Sequence, residues 1–134
     1  MLIKFTIPLT PITKKNHQRI LKSRRTGGRY VAPSEQFKQY EEMALWYIPK
    51  RGEPINFPVC VKCTFFMPDN RRCDLTNHLE SVDDIMVAAG LLADDNYTIL
   101  VSHDGSRVKV DKQNPRTEVE ITRLGDNNNE QIKM

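Results

Sequence analysis

"RRCDLTNHLESVDDIMVAAGLLADDN", residues 71–96, opens on two arginines and an aspartate and closes on two adjacent aspartates. Leu75, Leu79, Val82, Met86 and Ala89 recur at helical spacing, so a helix from about Leu75 to Ala89 with one apolar face is expected. Gly90 stands where a helix-ending glycine belongs. Thr76, Glu80, Asp83 and Val87 make the opposite stripe, with Asn77 and Asp84 on its flank. Such a stripe is ordinarily a solvated face, because charged side chains stay in water. The ends of the segment suggest more. Asp74 is placed to act as N-cap. Asp94 and Asp95 repel each other unless solvent or a cation relieves them. Mg²⁺ needs only one or two carboxylates, with water and phosphate oxygens completing its shell. Asp74, Asp95 and one helper would therefore suffice, and a divalent cation there could activate water and neutralise charge on a phosphate.

Working outward, "LIKFTIPL" alternates and reads as a strand that Pro8 and Pro11 end. Residues 12–33 show no clean period and read as a long, flexible basic loop. Ser34 is placed to cap a helix from about Glu35 to Tyr47, with Phe37, Tyr40, Met43 (or Ala44) and Tyr47 as its stripe and Trp46 in the core. "FPVCVKCTFFMP" reads as a strand. "NYTILVSHDG" and "SRVKVDK" read as one long strand kinked at Asp104–Gly105, and "RTEVEITRL" as the last strand. The expected order is β-α-β-α-β-β: an α+β (mixed α/β) domain with a single sheet of about four strands and two main helices. Residues 1–124 read as one domain and 125–134 as a polar tail.

The chain has 134 residues, three cysteines and a formal charge of +3. No apolar run is long enough to span a bilayer, the N-terminus lacks a signal-peptide core, and an odd cysteine count argues against a secreted disulfide framework. A soluble cytoplasmic protein is expected. Lys14, Lys15, Arg19, Lys22, Arg24, Arg25 and Arg29 lie in an acid-free run, while acids gather at 74–95. A basic arm beside an acidic cluster suits a polyanion with a metal between them. Lys14, Lys15, Arg19, Arg24 and Arg25, with Arg71 and Arg72, are the candidate DNA phosphate contacts.

"RCDLTN", then "DIMVAAGL", then "DD" resemble the RusA family of Holliday-junction resolvases, with "IPLTPITKKN" and "VKVDKQNPRTEVEI" similar to its first strand and closing strand pair. The resemblance covers most of the chain. It implies a Mg²⁺-dependent endodeoxyribonuclease (Mn²⁺ a substitute), a homodimer on branched DNA such as a four-way junction, phage- or prophage-type. Asp74 would match the family's first essential aspartate, Asp95 its last with Asp94 beside it, Asn77 the motif asparagine and Asp84 an acid within the helix. Asp74, Asp95 and Asp84 are thus the expected metal ligands. Two positions depart: Thr76 stands where the family type has a second aspartate, and Glu80 where it has a lysine. Thr76 could still hold a water through its hydroxyl, and Glu80 could supply the missing carboxylate from one turn away. The cationic role would then pass to Arg71, Arg72 or His78.

A helix of roughly 15 residues is about 22 Å long. Asp74 and Asp95 then meet within one chain only if residues 91–94 fold far back, and a symmetric dimer could instead pair them across subunits. Two other readings compete. The same fold could bind branched DNA without cutting it, which Thr76 and Glu80 would favour. Cys60, Cys63, Cys73 and His78 could also hold zinc in a protein-binding adaptor, although Cys60 and Cys63 fall in a strand where residues three apart face opposite sides. His17 and His103 are isolated in sequence and read as surface or structural residues.

Overall fold

The computed structural model describes residues 2–14, 18–22, 24–25 and 27–125. Its elements are β1 (Leu2–Ile7), β2 (Gln18–Lys22), β3 (Arg29–Pro33), α1 (Glu35–Ala44), β4 (Val59–Met67), α2 (Leu75–Ala88), β5 (Leu100–Ser102), β6 (Arg107–Val110) and β7 (Arg116–Arg123). A five-stranded mixed sheet runs β1-β7-β4, with β5 and β6 both paired to the far edge of β4. β7 is antiparallel to β1 and β4, whereas β5 and β6 are parallel to β4. A parallel pair needs a crossover connection. Here α2 is that crossover, so β4-α2-β5 forms the unit that carries the acidic segment.

Period-two alternation decides which face the helices cover. Val59, Val61, Cys63 and Phe65 of β4 and Val119 and Ile121 of β7 are buried with Val82, Ile85 and Met86 of α2 and Phe37, Tyr40 and Ala44 of α1. The other sheet face is polar. In direct register, Lys4, Glu120 and Lys62 form a cross-strand row with Nζ–O distances of 3.3 and 3.4 Å.

The α+β class and both helices match the sequence reading. Ser34 caps α1, its Oγ accepting from Phe37 N–H at 3.1 Å. Gly90 adopts φ +78°, and Gly90 N–H and Leu91 N–H bond to the carbonyls of Val87 and Met86. That is the Schellman pattern, which requires a positive-φ residue. Elsewhere the fold differs. Residues 12–33, read as a loop, contain the antiparallel hairpin β2–β3. The sheet has five strands because 100–110 divides in two: Ser106 Oγ, not a strand backbone, accepts from Cys63 N–H at 2.9 Å, and Gly105 turns with φ +86°. Trp46 is 87% exposed. A 3-10 turn at Leu45–Tyr47 breaks the 3.6 period there, so Ala44 and Ile48 are buried in its place.

The core face of α2 is also rotated from the expected one. Val82, Ile85 and Met86 are fully buried, but Leu75, Leu79 and Ala89 only partly. Asn77 and Asp83, expected outside, are buried, because neighbouring segments climb both flanks of the helix.

Candidate active site

Asp74 occupies the N-cap position of α2 with extended backbone, but its side chain makes no capping bond. This corrects the expected capping role. Its carbonyl receives the N–H groups of Asn77 and His78, and among the described residues its carboxylate receives only the Asn77 amide, at 3.3 Å. Both carboxylate oxygens are therefore largely left for something other than helix capping.

Further along α2, Thr76 and Glu80 are exposed and Asp84 is half-buried. The chain reverses at Gly90. Residues 91–93 are then held by Ile55, whose N–H bonds to Leu91 O at 2.8 Å and whose carbonyl receives Ala93 N–H at 2.9 Å. That brace returns exposed Asp95 to the C-terminal half of α2, where its charge acts on both Asp83 and Asp84. Burial raises the Asp84 carboxyl above its ordinary value, with Asp95 and Glu80 raising it further and Lys14 drawing it back. Glu80, Asp84 and Asp95 thus share one field, and Asp74 stands ten residues up the helix from Asp84, roughly 15 Å away.

Asp94 is committed to its own loop. Its carboxylate accepts from the Asn96 amide at 2.8 Å and from Asp95 N–H at 2.7 Å, and both bonds favour the charged form and hold its pKa below the ordinary value.

Asp83 has the opposite environment. Its Oδ2 lies 2.9 Å from Nε2 of His103, whose Nδ1 lies 2.8 Å from Val61 O. Its Oδ1 is buried without a hydrogen-bond partner among the described residues. Burial raises the Asp83 carboxyl, against the pull of His103. Burial works against charge on His103 too, but the hydrogen bond and charge of Asp83 outweigh it, so His103 lies above its ordinary value. The direction supported by this geometry is a proton retained on the pair. Sequence reading placed Asp83 on the exposed stripe and left His103 alone. No local signal joins residues twenty apart across a crossover.

The basic candidates separate into groups. Lys14 reaches α2, its backbone N–H bonded to Ser81 Oγ at 3.0 Å. Arg24 and Arg25 are exposed at the turn of the β2–β3 hairpin. Arg19 lies in β2 opposite Ala32, but its side chain is outside what the structure describes, and Lys15 and His17 lie outside the described residues altogether. Arg71 is turned onto Asp69, with Nε and Nη2 at 3.1 and 3.0 Å from Oδ2. Arg72 is exposed beside it, and both line a cavity of about 510 Å³ near the N-terminus of α2. His78, buried with its ring centroid 5.0 Å from that of Phe65, lines the same cavity.

Among the described residues no three His, Cys, Asp or Glu side chains form a ready metal cage. The donor chemistry still fits a hydrated divalent cation. The charges of Glu80 and Asp95, both exposed, act on half-buried Asp84, and hard oxygen donors with water filling the remaining positions are what Mg²⁺ takes. Zinc finds no such arrangement: Cys63 faces the core, Cys60 the opposite side of β4, and all three cysteines are free thiols.

Residues 8–122 match the family model described as "Endodeoxyribonuclease RusA". The chain is also similar to "Crossover junction endodeoxyribonuclease RusA" of Aquifex aeolicus (strain VF5), 26% identical over 113 residues that cover 83% of this chain and 85% of that protein. With a match spanning both flanks of the acidic helix and the whole crossover unit, the chain belongs to the RusA endodeoxyribonuclease family and is a homologue of crossover-junction resolvases.

Proposed function

We propose that this chain is a Mg²⁺-dependent, structure-selective endodeoxyribonuclease that cuts four-way junctions as a cytoplasmic homodimer, with Mn²⁺ able to replace Mg²⁺. The observation that carries the reading is the gathering of exposed Glu80 and half-buried Asp84 of α2 with exposed Asp95 of the loop that follows, both neighbours' charges acting on Asp84. Asp84 and Asp95 would hold the metal together with Asp74. When bound it would acidify water and offset negative charge on the scissile phosphate.

The protein's own groups do the rest. Glu80 accepts the proton of the attacking water at a carboxylate oxygen, and Thr76 orients that water through its hydroxyl. The water oxygen bonds to phosphorus as the bond to the leaving sugar oxygen breaks in line. Asp94 acts indirectly by holding the 94–98 loop. Arg24, Arg25 and Arg72 bind flanking phosphates, which fixes register without reading sequence. The roughly 15 Å between Asp74 and Asp84 along α2 supports a site in which Asp74 works beside Asp95 of the partner subunit. No helix among the described residues is long and apolar enough to cross a membrane, which is compatible with action on DNA.

A synthetic four-way junction, incubated with and without Mg²⁺ beside Asp95→Asn, tests the reading. Paired symmetric nicks that need Mg²⁺ and vanish in the variant are expected. A retarded but uncut junction would favour the binding-only reading, which Thr76 and Glu80 support. Absence of any complex sinks both. Mixing Asp74→Asn and Asp95→Asn chains tests sharing, since restored cleavage requires a composite site.

A further inference from the structure

An acidic site that works on DNA has an electrostatic difficulty. Glu80, Asp84 and Asp95 lie in one patch, and the phosphodiester is itself an anion. A divalent cation offsets only part of that charge, so a fixed positive group facing the patch is needed. Among the basic residues of the acidic segment, Arg71 is bound to Asp69. Arg72 stands before the first turn of α2, on the order of 15 Å from Asp84 by helical rise. Within one protomer the cation beside the patch must come from another segment.

Lys14 is placed for it. The segment before it is tucked in, with Pro11 and Thr13 buried, and Lys14 is the residue at which the side chain emerges. Its N–H donates to Ser81 Oγ at 3.0 Å. Ser81 is 2% exposed, and its hydroxyl donates in turn to Asn77 O at 3.0 Å. One hydroxyl with one donor and two acceptor sites is thereby used in both directions. Ser81 lies directly after Glu80 and one turn before Asp84, so this clamp, linking residues 67 apart, sets the base of the Lys14 side chain beside the carboxylate patch. Its charge acts on Asp84, pulling against burial there.

We infer that Lys14, clamped by Ser81 against α2, is the site's own phosphate-facing cation, resting its ammonium among the carboxylates in the free protein and turning it to the scissile phosphate when DNA and metal arrive. The inference deepens the proposed nuclease function and depends on it. It gives Lys14 a role distinct from Arg24 and Arg25 on the hairpin, which meet the phosphate backbone at large. An ammonium is a compact point charge with rotatable donors and suits this change of partner.

Four variants test it with a synthetic four-way junction under single-turnover conditions. Lys14→Ala should lower the cleavage rate about 10²-fold or more, with junction affinity reduced only a few-fold. Arg24→Ala should show the reverse, losing affinity and salt dependence with little loss of bound-state rate. Ser81→Ala keeps the ammonium but frees its base, and should fall between Lys14→Ala and the wild type. Lys109→Ala, on β6, should match the wild type. Mn²⁺ binding to the DNA-free protein gives a readout apart from cleavage: removing an ammonium that faces the carboxylates should tighten it in Lys14→Ala. Wild-type cleavage by Lys14→Ala, or losses of rate and affinity in the proportion seen for Arg24→Ala, would overturn the inference. If the wild type binds junctions without cutting them, the function reading fails and Mn²⁺ affinity alone decides the position of Lys14; an unchanged value then refutes it.

Discussion

On the flank of α2 that meets His103, Asp83 is 7% exposed and its Oδ2 lies 2.9 Å from a ring nitrogen held in turn by Val61 O. On the flank that meets Lys14, Asp84 is half-buried, shares its field with Asp95 and Glu80, and has no hydrogen-bonded cation among the described contacts. The two aspartates are adjacent in sequence. One helical step of about 100° turns the first toward the β5 side and the second toward the open patch. The first is a structural tie that clamps helix to sheet. The second is kept in a repulsive field that folding alone gives no reason to maintain, and this is where a functional cost belongs.

The largest effect should come from neutralising the open flank. Asp84→Asn is expected to lower junction cleavage by about 10²-fold or more, comparable with losing a principal electrostatic contact. Its melting temperature at neutral pH should rise or stay level, because the repelled charge is gone. The comparison breaks if Asp83→Asn loses as much cleavage per folded molecule as Asp84→Asn.

The buried flank should answer in stability. His103→Ala leaves the Asp83 carboxylate without its partner, and an unsatisfied buried group costs about 1–3 kcal/mol. Denaturant unfolding should show that loss, while cleavage by the folded fraction stays within several-fold of the wild type. A pH dependence follows. His103 lies above its ordinary 6.5 in the fold, so its contribution is complete below that value and is lost as pH rises through the higher folded value. Asp83, raised above 3.8, runs in the same direction at lower pH. As pH rises above about 6.5 the wild type should lose stability more steeply than Asp83→Asn/His103→Gln, which carries neither titration. Parallel curves would remove the pair from the account.

The smallest effect belongs far from both flanks. Trp46, 87% exposed on the 3-10 turn, should tolerate Trp46→Ser within about 0.5 kcal/mol. A loss of several kcal/mol would mean that its side chain is packed after all.

Much was legible from local order alone. The apolar spacing of 75–89 specified a helix, Gly90 specified its end, and alternation in 59–67 and 116–123 specified strands, because each signal lies within a few residues of its consequence. The motif around Asp74 and the Asp94–Asp95 pair marked the family for the same reason: they are read in one stretch. What packs on each side of α2 was not legible. The helical period says that Asp83 and Asp84 differ in direction, but which is covered depends on β5 delivering His103. Nor does any spacing announce that Lys14 binds Ser81. Trp46 and the β2–β3 hairpin were misread where a 3-10 turn and a long-range pairing overrode the local pattern. Local chemistry selected the elements and the acids. Tertiary packing decided which acid is neutralised inside the fold and which is left to act, because burial and charge partners come from residues that meet only when the crossover and the N-terminal arm close on the helix.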